Sequence, residues 1–449
     1  MLSQSLQLIY RLSRKTISHL TGITALQQAP LLAKNINLQA ALDFLNQRHT
    51  FFSPASVRCL KKLYPYLMAE EERLKQQQNS STSQKLILHF CCWGELYFEK
   101  VTTFLLPSLL AEHNLPFLAQ HHDVTLLIHG DEKSRMSLMN TVLIKKIQQH
   151  ATVQFIVIPD ELLTAYRDCT RYPNFLFKKL NEINRNIKYF LVGGLQTLVF
   201  QLALQEKALV SFLMPDLMLS NHFYDRLYQM VQGKKVVLLT ALRANYRAIK
   251  PELQRHQQAG MPLSIDASTL IKYHIKHLHT HALRQVVSEK TANFLPTAQI
   301  VFKIPHGYCL RALHYHPMLI DCAKINRSIK MDYWPIDNTI VQAIFDPNIS
   351  FDKQAAVAVD TNQVYCIELS EEGPIDHTKA NYLNYNDIVG KIRRLFQNSP
   401  EVFDTPYNRF LSSFAFHIVD PDYPLPDQED DEWVDQDSFF LQVRGKNIP

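Results

Sequence analysis

Leu86-Ile87-Leu88-His89-Phe90-Cys91-Cys92-Trp93-Gly94 is the stretch that decides the fold class. A short apolar run stopped by a glycine reads as a β-strand covered on both faces. Four more runs of the same texture follow, at 124–128, 153–158, 209–214 and 235–240. They are stopped by polar or proline-bearing turns such as His129-Gly130-Asp131, Pro159-Asp160 and Pro215-Asp216. Helical spacing fills the intervals: 98–110 with an interruption near Pro107, Leu143-Ile144-Ile147, 175–207 and 224–232. Apolar strands alternating with helices mean βαβ units and one mainly parallel central sheet with flanking helices, an α/β fold. Such sheets bind ligands beyond the carboxyl ends of their strands. That rule gathers Trp93, Gly94, Glu95, His129, Asp131, Asp160 and Asp216 at one crevice.

Upstream, residues 1–80 read as a helical segment. Leu38, Leu42 and Leu45 keep helical spacing, as do Leu60, Leu63 and Leu67. The polar run Gln76-Gln77-Gln78-Asn79-Ser80-Ser81-Thr82-Ser83 then marks a linker. No acid precedes Asp43, while Arg11, Arg14, Lys15 and Lys34 do. This pattern fits an organelle transit peptide, an interfacial helix in peripheral contact with anionic lipid, or a plain helix packed on the body. No apolar region with a small-residue cleavage site marks a conventional secretory signal, and no stretch approaches the ~18 apolar residues of a transmembrane segment.

Downstream of Leu242 the rhythm loosens. A helix is expected over 266–288, strands at 300–302, 309–316, 355–359 and 364–369, and helices at 387–396 and 407–416. From 417 to 449 a flexible acidic tail is expected. Seven acids and no base lie between Asp427 and Asp437. With that −7 set aside, a chain of net charge +5 stands at +12 over the rest. The excess is spread out, without a Lys/Arg block or a nucleic-acid-binding signature, so no nucleic-acid partner is expected.

Composition narrows the chemistry. Of 449 residues, 46% are hydrophobic and 20% charged, which excludes wholesale disorder. Only 11 glycines occur, and no Gly-rich phosphate loop is present. The seven cysteines, Cys59, Cys91, Cys92, Cys169, Cys309, Cys322 and Cys366, are odd in number and scattered. A disulfide framework or CxxC zinc site does not fit, and a reducing compartment such as the cytoplasm does. Nucleophilic hydrolysis fares badly: there is no Gly-x-Ser-x-Gly elbow, and Cys91-Cys92 lies inside a strand where thiols are inert.

Asp216 is the most informative single residue. It follows the apolar strand within Val210-Ser211-Phe212-Leu213-Met214-Pro215-Asp216. A carboxylate there can hold a divalent cation that faces a diphosphate, or it can serve as a turn or N-cap aspartate. His314-Tyr315-His316-Pro317 is the second candidate. At strand period two, His314 and His316 share a face and offer imidazoles to a metal or phosphate, or to hydrogen bonds beneath a loop. His274, His277 and His281 would share one helix face, with His279 nearby. Leu278 stands where a His-Glu-x-x-His zinc helix needs glutamate, so that reading fails. Trp93 and Tyr97 can stack on a base or simply pack.

Taken in order, Phe90-Cys91-Cys92-Trp93-Gly94-Glu95, Leu106-Pro107-Ser108-Leu109-Leu110, Thr125-Leu126-Leu127-Ile128-His129, Pro215-Asp216 with Ser220, Gly233-Lys234-Lys235-Val236-Val237-Leu238 and Leu313-His314-Tyr315-His316-Pro317 with Ile336-Asp337-Asn338 suggest a family. Over residues 85–370 the chain resembles bacterial glycosyltransferase-like proteins with a GT-A type, nucleotide-diphospho-sugar transferase core. The resemblance implies a nucleotide sugar bound across the sheet, with Trp93, Glu95, Asp131 and Asp216 on its side. Asp216 stands where the family's Asp-x-Asp begins, and Met218 replaces the second aspartate. It further implies Mn²⁺ or Mg²⁺ held by Asp216 with His314, His316 or Asp337. No catalytic base can be named.

The expected organisation is a helical segment over 1–80, a nucleotide-sugar-binding α/β half over 85–300, an acceptor-side part of the core over 301–416, and the acidic tail over 417–449. The expected function is sugar transfer from a nucleotide sugar to an unknown acceptor, a protein among the candidates. The alternative is a non-catalytic binding or scaffold protein, such as a bacterial effector translocated into a host cell with the acidic stretch as its secretion signal.

Overall fold

The computed structural model describes residues 54–444, except 77–83, 172–177, 259, 289, 296, 298, 314, 327–328, 330–337, 372–379, 399–403 and 424–435. The expectations for residues 1–53, for the Gln/Ser linker beyond Gln76, for His314, for Asp337 and for the acids at 427–435 lie outside the described residues. Two compact units divide the chain. One comprises Met1–Gln77, Pro159–Val199 and Met331–Pro335; the other comprises Gln78–Ile158, Phe200–Lys330 and Ile336–Pro449.

The strands, in chain order, are β1 (Lys85–Cys92), β2 (Asp123–Gly130), β3 (Thr152–Val157), β4 (Leu209–Phe212), β5 (Leu217–Leu219), β6 (Val236–Leu239), β7 (Arg243–Asn245) and β8 (Val286–Val287). They continue with β9 (Lys290–Ala292), β10 (Gln299–Ile304), β11 (Gly307–Ala312), β12 (His316–Asp321), β13 (Ala355–Val357), β14 (Cys366–Ser370), β15 (Tyr382–Asn384) and β16 (Phe416–Val419). Seven of them form the central sheet in the order β13-β6-β12-β4-β1-β2-β3.

The five strands expected from sequence are all in this sheet. β1 pairs in parallel with β2 and β4, and β2 with β3. β6 runs the same way as β4, because each is antiparallel to β12 between them. The architecture is mixed α/β, with a mainly parallel central sheet and flanking helices. The reason is burial on both faces. Leu86, Leu88 and Phe90 of β1 enter the main core with Phe104, Leu105 and Leu109 of the following helix. Ile87, His89 and Cys91, at the alternate positions, are buried as well. Each aliphatic side chain buried this way contributes roughly 1.5–3 kcal/mol.

Three boundaries differ from expectation. The run at 309–316 is two strands: β11 ends at Ala312, and His316 opens β12. β11 belongs to the four-stranded sheet β16-β11-β10-β8, so the chain changes sheets between the two. The helix expected over 266–288 spans Ala267–Lys276 and ends at His277, whose φ of −124° and ψ of 37° leave the helical region. A short helix Thr280–Leu283 and β8 follow, so His274, His277 and His281 do not share a helix face. The helix expected at 407–416 stops at Ser412, because Phe416 pairs with Leu310 as β16. Past that strand, Gln436–Val443 is a helix whose Phe439, Phe440 and Val443 are buried with Phe302, Ile388 and Ile392.

In the first unit, Leu60, Leu63 and Leu67 are fully buried on the helix Pro54–Gln76, as their spacing requires. Lys62 pairs with Glu161 of the helix Asp160–Arg171 at 2.8 Å. No helix among the described residues is long and apolar enough to cross a membrane.

Candidate active site

Two clusters stand at the carboxyl edge of the parallel strands. The first joins the ends of β1 and β2. After β1 the chain passes half-buried Trp93 and turns at Gly94, whose φ of +82° suits glycine. Asp131 caps the helix Glu132–Met139: its Oδ1 accepts the Ser134 N–H at 2.6 Å. Its Oδ2 accepts the Gly94 N–H at 2.9 Å, so one carboxylate ties both turns together. Gly130 makes the close approach possible, since a Cβ there would lie 2.3 Å from the Cys92 carbonyl oxygen. Glu95 is exposed and pairs with Lys133 at 2.6 Å, which holds its carboxyl below the ordinary range. Burial and the Asp131 charge push the Cys92 thiol up to about 12, so it is inert as a nucleophile.

The second cluster surrounds Asp216, which follows β4 and precedes β5. Its carbonyl accepts the Leu369 N–H at 2.8 Å, which fixes the turn against β14. The residue is only 8% exposed. Burial first, and the neighbouring Glu368 charge second, push its carboxyl up to about 7, against the opposing pull of Lys100 and Arg243. Lys100 ends the helix Glu95–Lys100 just before the π-helical turn Val101–Leu105. Its ammonium donates to the Leu369 carbonyl and lies 4.9 Å from the Tyr246 ring centre and 5.5 Å from that of Tyr97. Burial lowers the Lys100 pKa, and Asp216, Glu371, Glu368 and Glu99 counter that effect. Around this centre, Arg243 pairs with Glu368 at 2.8 Å and Lys250 with Glu99 at 2.5 Å. Arg247 reaches Glu371 at 3.4 Å and is 81% exposed.

Such an arrangement holds a carboxyl group poised between its two protonation states, beside a desolvated ammonium. That is suited to exchanging a hydrogen bond or proton with a hydroxyl. Sequence reasoning found Asp216 but missed Lys100, Glu368, Arg243 and Tyr246. Their signal was weak: each is one polar residue on a short element, and β7 and β14 bring them together only through pairing.

His316 lies at the same edge, because it pairs with Leu239 at the end of β6. Met218 is fully buried in β5 and supplies no oxygen. A hard cation such as Mn²⁺ or Mg²⁺ wants several oxygen ligands. Around Asp216 the nearby carboxylate, Glu368, is already paired with a guanidinium, and an ammonium stands beside them. These described neighbours do not fit a Mn²⁺ or Mg²⁺ shell. The described residues whose ligand atoms do converge are His113, His222 and Asp225, within 4.8 Å of one another.

The dense histidines serve the core. The His274 ring nitrogen Nδ1 lies 2.5 Å from the Tyr365 hydroxyl, and burial lowers its pKa to about 4. His279 caps the helix Thr280–Leu283.

No protein-family model matches the chain, and no curated protein matches it in sequence. A solved structure that matches is the apo form of mouse xyloside xylosyltransferase 1, at 14% identity and a TM-score of 0.23. The match covers 39% of this chain and 58% of that one, so the chain spans less than two thirds of that protein's length.

Proposed function

We propose that the protein is a glycosyltransferase-like protein that binds a nucleotide sugar along the carboxyl edge of the seven-stranded sheet and passes the sugar to an acceptor, a protein being one candidate class. The observation that carries this reading is Asp216: a buried carboxyl held near neutrality at the end of a central parallel strand, where open α/β sheets take ligands. In this reading Asp216 meets the sugar hydroxyls directly, and Lys100 fixes its charge and position. Trp93 offers a ring face to the base, while Glu95 and Asp131 shape the turn beneath it. Arg243 and Arg247 present exposed guanidinium groups suited to a diphosphate. A cation bound by Asp216 with His314, His316 or Asp337 is the competing form of the same reading.

The test is a thermal-shift screen of nucleotide sugars on the full chain, with and without Mn²⁺. One donor class is expected to raise Tm without the metal, and Asp216→Asn to weaken that donor at least tenfold, about 1.4 kcal/mol. A shift that requires Mn²⁺ selects the cation-bound form. If no nucleotide sugar shifts Tm in either condition, donor binding fails and a non-catalytic scaffold becomes the better reading.

A further inference from the structure

We propose that His113, His222 and Asp225 form a binding site for a transition-series divalent cation of the zinc class, separate from the Asp216 cluster. Asp225 lies in the first turn of the helix Phe223–Val231, and His222 is the residue before that helix. His222 Nδ1 is 2.8 Å from Asp225 Oδ2, and His113 Nδ1 is 3.8 Å from the same oxygen. Ligand atoms on a tetrahedral Zn²⁺, with bonds of ~2.0–2.1 Å, stand ~3.3 Å apart. The two separations bracket that value, and all three ligand atoms lie within 4.8 Å of one another, so side-chain adjustment without movement of the backbone would close the shell. The imidazoles are stacked with centroids 3.6 Å apart and planes at 19°, and both are more than a third exposed.

The second oxygen of Asp225 supplies an independent sign. Asp225 is 8% exposed, and its Oδ1 is buried with no hydrogen-bond partner among the described residues. A buried carboxylate oxygen left without a donor is costly, and a metal ion that takes both oxygens of Asp225 is one of the groups that removes that cost. The scaffold around the three ligands is fixed in advance. Asn114, beside His113, donates from Nδ2 to the Ser108 and Ser220 carbonyls and accepts the Tyr224 N–H on Oδ1. The His113 carbonyl accepts the Asp225 N–H at 3.2 Å. His222 is held at φ +63°, a left-handed conformation that costs a non-glycine residue energy and persists where the surroundings impose it.

The donor set chooses the metal. Two imidazoles and one carboxylate suit Zn²⁺, Co²⁺ or Ni²⁺, whereas Mg²⁺ and Ca²⁺ want oxygen. Three protein ligands with exposed rings leave a coordination position for water. The positive end of the helix opposes a cation, an effect far smaller than what three coordinate bonds supply.

The probe is Co²⁺ alone, then Zn²⁺, added to tag-free, chelator-treated full-length protein. One equivalent of Co²⁺ should give visible ligand-field bands, and Zn²⁺ should displace it. Asp225→Asn, His113→Ala and His222→Ala should each weaken binding at least tenfold, with far-UV circular dichroism confirming the fold. His113→Gln, a gentler change at a partly exposed position, keeps the test alive if a variant misfolds, and should weaken binding to a similar degree. Asp216→Asn should bind Co²⁺ as wild type does. The proposal is overturned if no one-equivalent saturation occurs, if folded ligand variants bind like wild type, or if Asp216→Asn alone removes binding.

Discussion

Asp216 and Asp225 are nine positions apart, equally buried at 8% exposure, and chemically opposite. Asp216 faces a second acid, a buried ammonium and a guanidinium, all supplied by the protein. Asp225 faces two half-exposed imidazoles and keeps one oxygen without a donor among the described residues. The first carboxyl has its cations built in and adjusts by taking a proton near neutrality. The second is open to a cation from solution. Burial alone does not assign a carboxylate its role; the groups that face it do.

The largest effect is expected from removing the built-in cation. Lys100→Met keeps the stem between the aromatic rings and deletes the charge. Breaking a buried pair from one side costs about 3 kcal/mol when the remaining charge stays ionised. Asp216 can escape by protonating, so the loss should be near its full size at pH 8 and smaller at pH 5.5. Urea unfolding at the two pH values measures this. Equal losses at both would mean that Lys100 acts by packing alone.

Asp216→Asn tests the other partner, with the sign fixed by linkage. In the folded chain the carboxyl is raised from 3.8 to about 7. Between those values the folded state holds more protons than the unfolded state, so this group's contribution to stability declines as pH rises through the window. Asparagine has no proton to gain. The stability of Asp216→Asn relative to wild type should therefore climb from pH 4 to pH 8. A flat difference would show that Lys100 and Arg243 cancel the cost of burial completely, and the contrast with Asp225 would shrink.

Asp131→Ala supplies a reference carboxylate whose work is structural. Both oxygens accept backbone N–H groups, and loss of such a cap costs about 1–2 kcal/mol. Urea unfolding should read that penalty in full, as a loss of stability. If nucleotide-sugar binding falls more than its stability loss explains, Asp131 touches the donor as well.

The two clusters also differ in how far the sequence reveals them. The central sheet was legible because strands covered on both faces need unbroken apolar runs, as in β1, β2 and β4. Asp216 was legible because it terminates such a run. β12 was not anticipated, because His314 to Pro317 read as the end of the strand expected over 309–316, whereas the chain leaves one sheet there and enters another. The helix over 266–288 was overdrawn because apolar spacing persisted past His277, where the backbone turns to form a bridge between Ala244 and Leu278. Lys100 and Glu368 could not be paired in advance, since 268 positions separate them. His113 and His222 meet through Asn114, an ordinary loop residue with nothing in its local sequence to announce a tether.

The smallest effect in stability should be the sharpest in binding. His222 sits at φ +63°, where glycine rests without strain and is tolerated as a helix cap. His222→Gly relieves that strain by up to ~1 kcal/mol. It also deletes an imidazole–carboxylate contact of 2.8 Å and a stacked ring, losses of similar size at a half-exposed site. The net change in metal-free stability should stay within about 1 kcal/mol of wild type, read from Tm in chelator. Cobalt binding should nevertheless fall at least tenfold, because one of three ligands is gone. A variant that loses several kcal/mol without metal would make His222 a structural partner of Asp225, with the buried carboxylate satisfied inside the protein as Asp216 is. A variant that keeps its stability and loses only the metal would leave Asp225 as the carboxylate that waits for an ion from outside.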